Sequence, residues 1–122
     1  MVSLGEIFNK GSDLENSDDN YTIRSTASGK LAFVFGDGLG NFSVYQTDNI
    51  VLTLNKWDFF SFTYTFGTGS TATFYLNGST VASSWTQGTG NGAPYTNNIN
   101  LFIGAFRIST NAKVNLWDGK IS

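Results

Sequence analysis

Carboxylates are the side chains that could carry chemistry in this chain, because its 122 residues include neither histidine nor cysteine. Thiolate nucleophiles, disulfides and thiolate metal sites are therefore excluded, as are the usual general base and the commonest zinc ligand. Any reaction would depend on the 9 acidic side chains or on a hard cation that they bind. The candidates are hydrolysis by paired carboxyl groups and coordination of calcium.

The positions of the carboxylates argue against catalysis. A retaining glycosidase, for example, holds two carboxyl groups roughly 5–5.5 Å apart. The glutamates are Glu6 and Glu15, and the aspartates fall at predicted turns and strand ends, with none two or four residues apart within a predicted strand. We therefore predict that the domain is not an enzyme.

Calcium is the second candidate, and it needs about 6–8 oxygen ligands. The densest supply is the segment 13–20, DLENSDDN, which contains Asp18 and Asp19; Asp37, between two glycines, is a poorer source. The alternative is that these segments are solvated turns, since Asp and Asn bend the backbone through local hydrogen bonds. The sequence favours the turns and leaves calcium open as a cofactor.

A sugar site would combine an exposed aromatic ring with amide hydrogen-bonding groups. Trp85 immediately precedes the longest unpatterned stretch, residues 86–98, and Tyr95 lies near its end; long loops of this kind are often functional. The amides in or beside this stretch that complete the predicted cluster are those of Asn91, Asn97 and Asn98. The alternative for Trp85 is that it ends a strand and packs inward.

Tyr75 is a further candidate for ligand binding. It alternates with Phe74 and Leu76 in its predicted strand, so its ring lies on the outer face together with Thr71 and Thr73. A concave sheet face built this way is the second predicted binding surface.

The composition limits the partners. With 7 Lys+Arg against 9 Asp+Glu, the chain has no basic cluster to follow a phosphate backbone, so nucleic acid is excluded. No apolar run approaches the ~20 residues of a membrane-spanning helix, and no signal peptide is visible at the N-terminus. A hydrophobic content of 40% and an aromatic content of 16% predict one packed domain over residues 1–122, with a fragment of a longer chain left open.

Strand signals dominate the chain, since it contains 14 glycines and no stretch keeps a helical period. The predicted strands are Glu6–Lys10, Asn20–Ser25, Lys30–Gly36, Asn41–Gln46, Ile50–Leu54, Lys56–Phe66, Ser70–Asn77, Ser79–Trp85, Asn100–Phe106 and Leu116–Ile121. Asn77-Gly78 is a typical two-residue hairpin turn between two of them.

Alternation along these strands gives each one strongly apolar face, as in two antiparallel sheets packed about 10 Å apart. The side chains predicted to face inward are Tyr21, Ile23, Leu31, Phe33, Phe35, Phe60, Phe62, Tyr64, Phe66, Ala72, Phe74, Leu76, Leu101 and Ile103. The fold class is therefore predicted to be an all-β, antiparallel two-sheet sandwich.

Six segments, taken in order, resemble the laminin-G-like and concanavalin A-like jelly-roll domains. They are Lys10-Gly11, Asn20 to Ile23, Trp57, Tyr75 to Val81, Leu101 to Gly104 and Trp117 to Ile121. The order and spacing carry the resemblance, which spans nearly the whole chain. It implies a jelly roll in which Trp57 and Trp117 are core aromatics. Family members carry further strands before the first segment and after the last, so the resemblance also implies open sheet edges.

Two functions remain open at this point. The resemblance implies a non-catalytic recognition module that binds carbohydrate or another extracellular ligand through rim loops, with calcium as an optional cofactor. The alternative is a structural or assembly component of a virion or cell surface that associates with itself or with larger assemblies through open sheet edges. Both place the domain outside the cell, on its surface or on a virion.

Overall fold

The computed structural model describes residues 5–11, 20–107, 113–114 and 117–121. Within these ranges the chain forms strands and no helix. The strands are β1 (Gly5–Lys10), β2 (Tyr21–Ser25), β3 (Leu31–Gly36), β4 (Phe42–Thr47), β5 (Phe60–Thr65), β6 (Thr68–Leu76), β7 (Ser79–Val81), β8 (Ser83–Gln87), β9 (Phe102–Ile103), β10 (Phe106–Arg107) and β11 (Lys113–Val114).

The strands pair into one large and one small antiparallel sheet. The large sheet has the order β8-β4-β3-β2-β1-β9, and the small sheet has the order β5-β6-β7. Strands β10 and β11 form a separate two-stranded pair. The predicted all-β, two-sheet sandwich is confirmed. No helix in the described ranges is long and apolar enough to cross a membrane.

The core lies where the small sheet covers the middle of the large one. The ring of Phe62 in β5 lies 4.4 Å from that of Phe33 in β3 and 4.6 Å from that of Phe74 in β6, measured between centroids. Phe74 is fully buried, and Phe35 and Ala72 are buried beside it. These contacts confirm the predicted inward face of the three central strands.

β3 is buried on both of its faces. Its second face packs Ala32 and Val34 against Val44 of β4, with Phe42 partly buried beside them. The polar side chains of Asn9 and Thr22 are buried as well, and the Asn9 amide donates a hydrogen bond to the Thr22 hydroxyl. A strand with two buried faces is the most apolar of the sheet, as the run LAFVF indicates.

The predicted strand Ile50–Leu54 is wrong. The backbone N–H groups of Val51 and Leu52 both donate to the carbonyl oxygen of Gly29, at 3.0 and 2.9 Å, so these residues are attached to the turn between β2 and β3 instead of joining a ladder. The central strand is also shorter than the predicted Lys56–Phe66, because β5 begins at Phe60.

The predicted strand Ser79–Trp85 is two strands that belong to different sheets. Asn77 and Gly78 have φ angles of 50° and 85°, which confirms the predicted hairpin turn between β6 and β7. After Ala82 the chain leaves the small sheet, and β8 pairs with β4 in the large one. Apolar patterning continues across this switch, because both strands face the same core.

The C-terminal part carries less strand than predicted. The segment Asn100–Phe106 contains only the short strands β9 and β10. Of the predicted strand Leu116–Ile121, residues 117–121 form no strand and Leu116 lies outside the described residues. Short strands of this kind pair with few neighbours, so local propensity alone did not reveal them.

Four large side chains predicted to be buried are exposed. The exposed fractions are 64% for Trp57, 54% for Phe66, 50% for Leu101 and 69% for Ile103. Trp57 and Phe66 lie outside β5, in the segment before it and in the turn after it, and Leu101 and Ile103 lie at or beside the edge strand β9. Trp117 packs against the core as predicted.

Candidate functional site

The long loop after β8 is attached to the sandwich by hydrogen bonds in both of its halves. Its first half is attached to the start of β6, where the Asn91 side-chain oxygen accepts a hydrogen bond from the Gly69 N–H at 2.9 Å. Its second half is attached to the end of β3, where the Tyr95 N–H donates to the Gly36 carbonyl at 2.8 Å. The loop therefore crosses one end of the sandwich as a fixed rim.

Trp85 packs against the first half of this loop. Its ring centroid lies 5.0 Å from that of Tyr45 and 5.8 Å from that of Tyr64, and the indole N–H donates to the Gly69 carbonyl at 3.0 Å. The ring also lies so close to Gly90 that a Cβ there would be 2.0 Å from it. Trp85 is thus half-buried and packed against the core, as in the alternative stated above.

Tyr64 reinforces the same anchor. Its hydroxyl donates to the Gly90 carbonyl and accepts from the Gly67 N–H, at 3.3 Å in the second case. Burial raises the pKa of this phenol above its ordinary value, against a smaller lowering by the Gly67 hydrogen bond. The hydroxyl therefore stays protonated and able to donate.

Tyr95 occupies a different position, with one face of its ring against the backbone of Gly38. A Cβ on Gly38 would lie 2.3 Å from the Tyr95 Cδ2 atom, so only glycine permits this approach. The side chain is 41% exposed. Its carbonyl accepts a hydrogen bond from the Asn20 side-chain amide. The ring therefore lies close to Gly38 and remains partly accessible to solvent.

The Gly38 turn is shaped by Asp37. One Asp37 oxygen accepts from the N–H groups of Leu39 and Asn41, at 2.8 and 3.0 Å, and the other accepts from the Asn41 side-chain amide at 2.7 Å. The Asn41 amide, followed by the Leu39 N–H, holds the pKa of Asp37 below its usual value. The predicted alternative of a solvated turn fits this arrangement, because both oxygens are occupied by the turn itself.

The two predicted asparagines at the end of the loop have different roles. The Asn97 side-chain oxygen accepts from the Ile99 N–H at 3.1 Å, and the ammonium of Lys10 donates to the carbonyls of Asn97 and Ile99. Asn98 is exposed. Asn97 therefore shapes the chain, while the Asn98 amide faces solvent near the same end of β1.

Tyr75 is not brought together with this loop. It pairs with Ser61 and Thr80 on the outer face of the small sheet and is half-buried there. Ser61 lies near the start of β5, whereas the loop is anchored beside Tyr64 and Gly69 at the other end of the β5–β6 hairpin.

Glu6 and Asp58, like Asp37, are engaged in local contacts. Glu6 is buried with its Oε1 atom 4.0 Å from the Arg24 guanidinium. Asp58 lies 2.8 Å from the Lys56 ammonium and accepts from the Asn77 amide, and these hydrogen bonds lower the pKa of Asp58. Among the described residues, no three acidic side chains lie together as a metal site would require. Asp18 and Asp19, the better calcium candidates, lie outside the described residues.

We define the Tyr95 rim site by Tyr95, Gly38, Asn20, Asp37 and Asn41. Sequence reasoning found Tyr95 and Asp37 but missed the other three. The run GDGLGN identified a turn, and its glycines were the available signal that a ring could approach the backbone. Nothing local indicated that Tyr95 would be the ring to do so, since more than fifty residues separate it from Gly38.

Comparison with known proteins gives one match. No curated protein and no solved structure matches the chain significantly. The family profile described as the concanavalin A-like lectin/glucanases superfamily matches residues 5–122, which is nearly the whole chain. Together with the two antiparallel sheets, this match means that the chain belongs to the concanavalin A-like lectin/glucanases superfamily.

Proposed function

We propose that the domain is a non-catalytic module that recognises carbohydrate at the Tyr95 rim site. The observation that carries the proposal is the ring of Tyr95, which lies close to Gly38 and is 41% exposed. A rigid aromatic ring with an accessible face provides a stacking surface for the apolar face of a sugar at low entropic cost.

Polar groups border this ring and supply specificity. The ionised carboxylate of Asp37 and the amide of Asn41 lie in the turn beneath it, and the amide of Asn20 contacts its backbone carbonyl. The exposed amide of Asn98 lies three residues along the chain. The Asn98 amide, together with those polar atoms of the turn that its internal hydrogen bonds leave unused, offers both donors and acceptors, which a polyhydroxylated ligand needs.

The absence of catalysis is part of the proposal. Glu6 is 1% exposed and lies against Arg24, so a substrate does not reach it. Asp37 and Asp58 are at turns, where hydrogen bonds keep their pKa values low. A general acid needs a raised pKa, and these groups have the opposite shift.

We expect Tyr95→Ala to weaken glycan binding by roughly tenfold or more, because loss of a central aromatic contact typically costs over about 1.4 kcal/mol. Tyr95→Phe keeps the ring and should bind within about threefold of the wild type. A glycan array identifies the ligand, and titration calorimetry with that ligand measures both variants. A folded Tyr95→Ala protein that binds normally would rule out this site.

A glycine pair provides the matched control for the same experiment. Gly38→Ala places a methyl group against the Tyr95 ring, whereas Gly40→Ala has no atom within 4 Å of the new Cβ; both positions have positive φ, 73° and 97°. Both variants therefore carry similar backbone strain, and only Gly38→Ala should displace the ring and reduce binding.

The glycan array is run both with calcium and with a chelator. A calcium requirement would point to Asp18 and Asp19, since the Asp37 oxygens are already occupied.

A second candidate is an assembly component, supported by an exposed apolar patch before β5. Leu54, Trp57 and Phe59 are 63%, 64% and 71% exposed, and a cluster of large apolar side chains on a surface is typical of an interface. On this hypothesis, sedimentation velocity shows association that rises with concentration and is reduced in Trp57→Ala. A monomer at every concentration would contradict the assembly hypothesis and leave the recognition module as the proposed function.

A further inference from the structure

The two sheets of the sandwich differ in width. The large sheet has six strands and the small sheet has three, ending at β5. Within the described residues β5 pairs with β6 alone. As a result, in the part of the chain that the structure describes, no strand of the small sheet lies across from part of the inner face of β1 and β2.

An apolar gap of about 400 Å³ lies at this place. Phe8 and Ile23 line it from the large sheet, and Phe60, Phe62 and Phe66 line it from β5 and the turn that follows. No charged side chain contributes to its lining. The gap adjoins β5 and is not lined by β6 or β7, so it lies at the open edge of the small sheet.

A second apolar gap, of about 360 Å³, continues the first along β1. The two share Phe8 and Tyr21, and the second adds the exposed side chains of Leu101, Ile103 and Ile121. Together they form one apolar channel between the edge of β5 and the edge strand β9.

The backbone of β5 faces this channel with hydrogen-bonding groups. Phe59 exchanges hydrogen bonds with Asn77, through the Asn77 N–H at 2.7 Å and the Asn77 side-chain oxygen at 3.0 Å, so its backbone groups point toward β6. Backbone groups alternate in direction along a strand. Those of Phe60 and Phe62 therefore point away from β6, toward the open edge.

We propose that β5 receives a single extended peptide segment as a fourth strand of the small sheet, with its apolar side chains in the channel. Its backbone pairs with Phe60 and Phe62, and its inward positions carry uncharged apolar side chains to match the uncharged lining. The proposal is independent of the carbohydrate site, which lies on the rim.

The size of the channel fits this occupant. An apolar cavity of about 150 Å³ holds one benzene-sized group, so the gap beside β5 accommodates about two or three large side chains. A strand presents every second residue to one face. Four to six residues of an alternating sequence therefore provide the number of apolar groups that this gap takes.

A second whole copy of the domain is a poorer occupant. Pairing β5 of one copy with β5 of another would place the uncovered β1 and β2 of both copies in the same layer, where they would collide. A single strand, about 4.8 Å from its neighbour, adds the missing width without such a clash.

The test uses a synthetic peptide of about ten residues that alternates Phe or Val with Thr and ends in Lys for solubility. Its control has the same composition in an order without alternation. We expect saturable binding of the alternating peptide alone, a raised melting temperature, and slower amide hydrogen exchange at Phe60 and Phe62.

A pair of matched variants locates the binding. Phe66→Asp places a charge beside the gap, and Phe59→Asp places one on a residue of the same type and similar exposure that does not line it. We expect Phe66→Asp to weaken peptide binding about tenfold or more and Phe59→Asp to leave it unchanged. The proposal is overturned if neither peptide binds, if both bind equally, if Phe66→Asp binds normally, or if Phe60 and Phe62 gain no protection. Competition between the peptide and a concentration-dependent dimer would likewise overturn it, in favour of a second copy.

Discussion

Replacing Phe74 by Ala should lower the free energy of unfolding by about 3–5 kcal/mol, the usual cost of removing a fully buried ring. Phe74 has no exposed surface and lies 4.6 Å from the Phe62 ring and 5.9 Å from the Tyr45 ring, between centroids. The wall of the resulting cavity would come from both sheets, which cannot both relax toward it. The measurement is urea unfolding followed by circular dichroism.

Phe59→Ala is the matched control for this experiment. It removes the same atoms at a position that is 71% exposed, so the expected change is within about 0.5 kcal/mol. If Phe74→Ala leaves no folded baseline, Phe74→Leu provides a smaller truncation at the same site. Equal losses of stability in Phe59→Ala and Phe74→Ala would contradict the assignment of Phe74 to the core and of Phe59 to the surface.

Trp85→Ala is expected to have the second largest effect and to lower the free energy of unfolding by about 3 kcal/mol. This value lies at the lower end of the range for a buried aromatic residue, because the Trp85 ring is half-buried. It removes contacts with the rings of Tyr45, Tyr64 and Phe35 and the hydrogen bond to the Gly69 carbonyl. Trp57→Ala, at a tryptophan that is 64% exposed, should change stability by less than about 0.5 kcal/mol. Urea unfolding by circular dichroism compares the two, since fluorescence would change with the number of tryptophans.

This comparison also separates support from recognition at the rim. Trp85→Phe keeps a ring but removes the indole N–H. Part of the stability loss expected for Trp85→Ala should therefore remain, on the order of 1 kcal/mol for the lost hydrogen bond. Trp85→Ala should then reduce ligand binding in proportion to its loss of folded protein, whereas Tyr95→Ala should reduce binding with the fold intact. A fully stable Trp85→Ala variant that fails to bind would make Trp85 a ligand contact after all.

Features that depend on neighbouring residues in the chain could be predicted from the sequence. Alternation assigned Phe33, Phe62 and Phe74 to the core, because successive side chains of a strand must point to opposite faces. The turn at Asn77-Gly78 was predictable because these two residue types tolerate positive φ. The all-β class and the superfamily follow from the same local patterns, repeated along the chain in a fixed order.

Features that depend on what lies opposite a side chain were decided by the tertiary structure alone. Trp57, Leu101 and Ile103 have the residue types of a core but are exposed, because Trp57 lies in the segment before β5 and the large sheet ends at β9. Trp85 packs against the core and Tyr95 is partly accessible, although both belong to the region of the same loop, because one ring lies beside Tyr45 and the other beside Gly38. The sequence by itself determined which faces of the strands are apolar. The number of strands in each sheet determined which of those faces are covered, and sheet width depends on pairings between distant residues that no local pattern encodes.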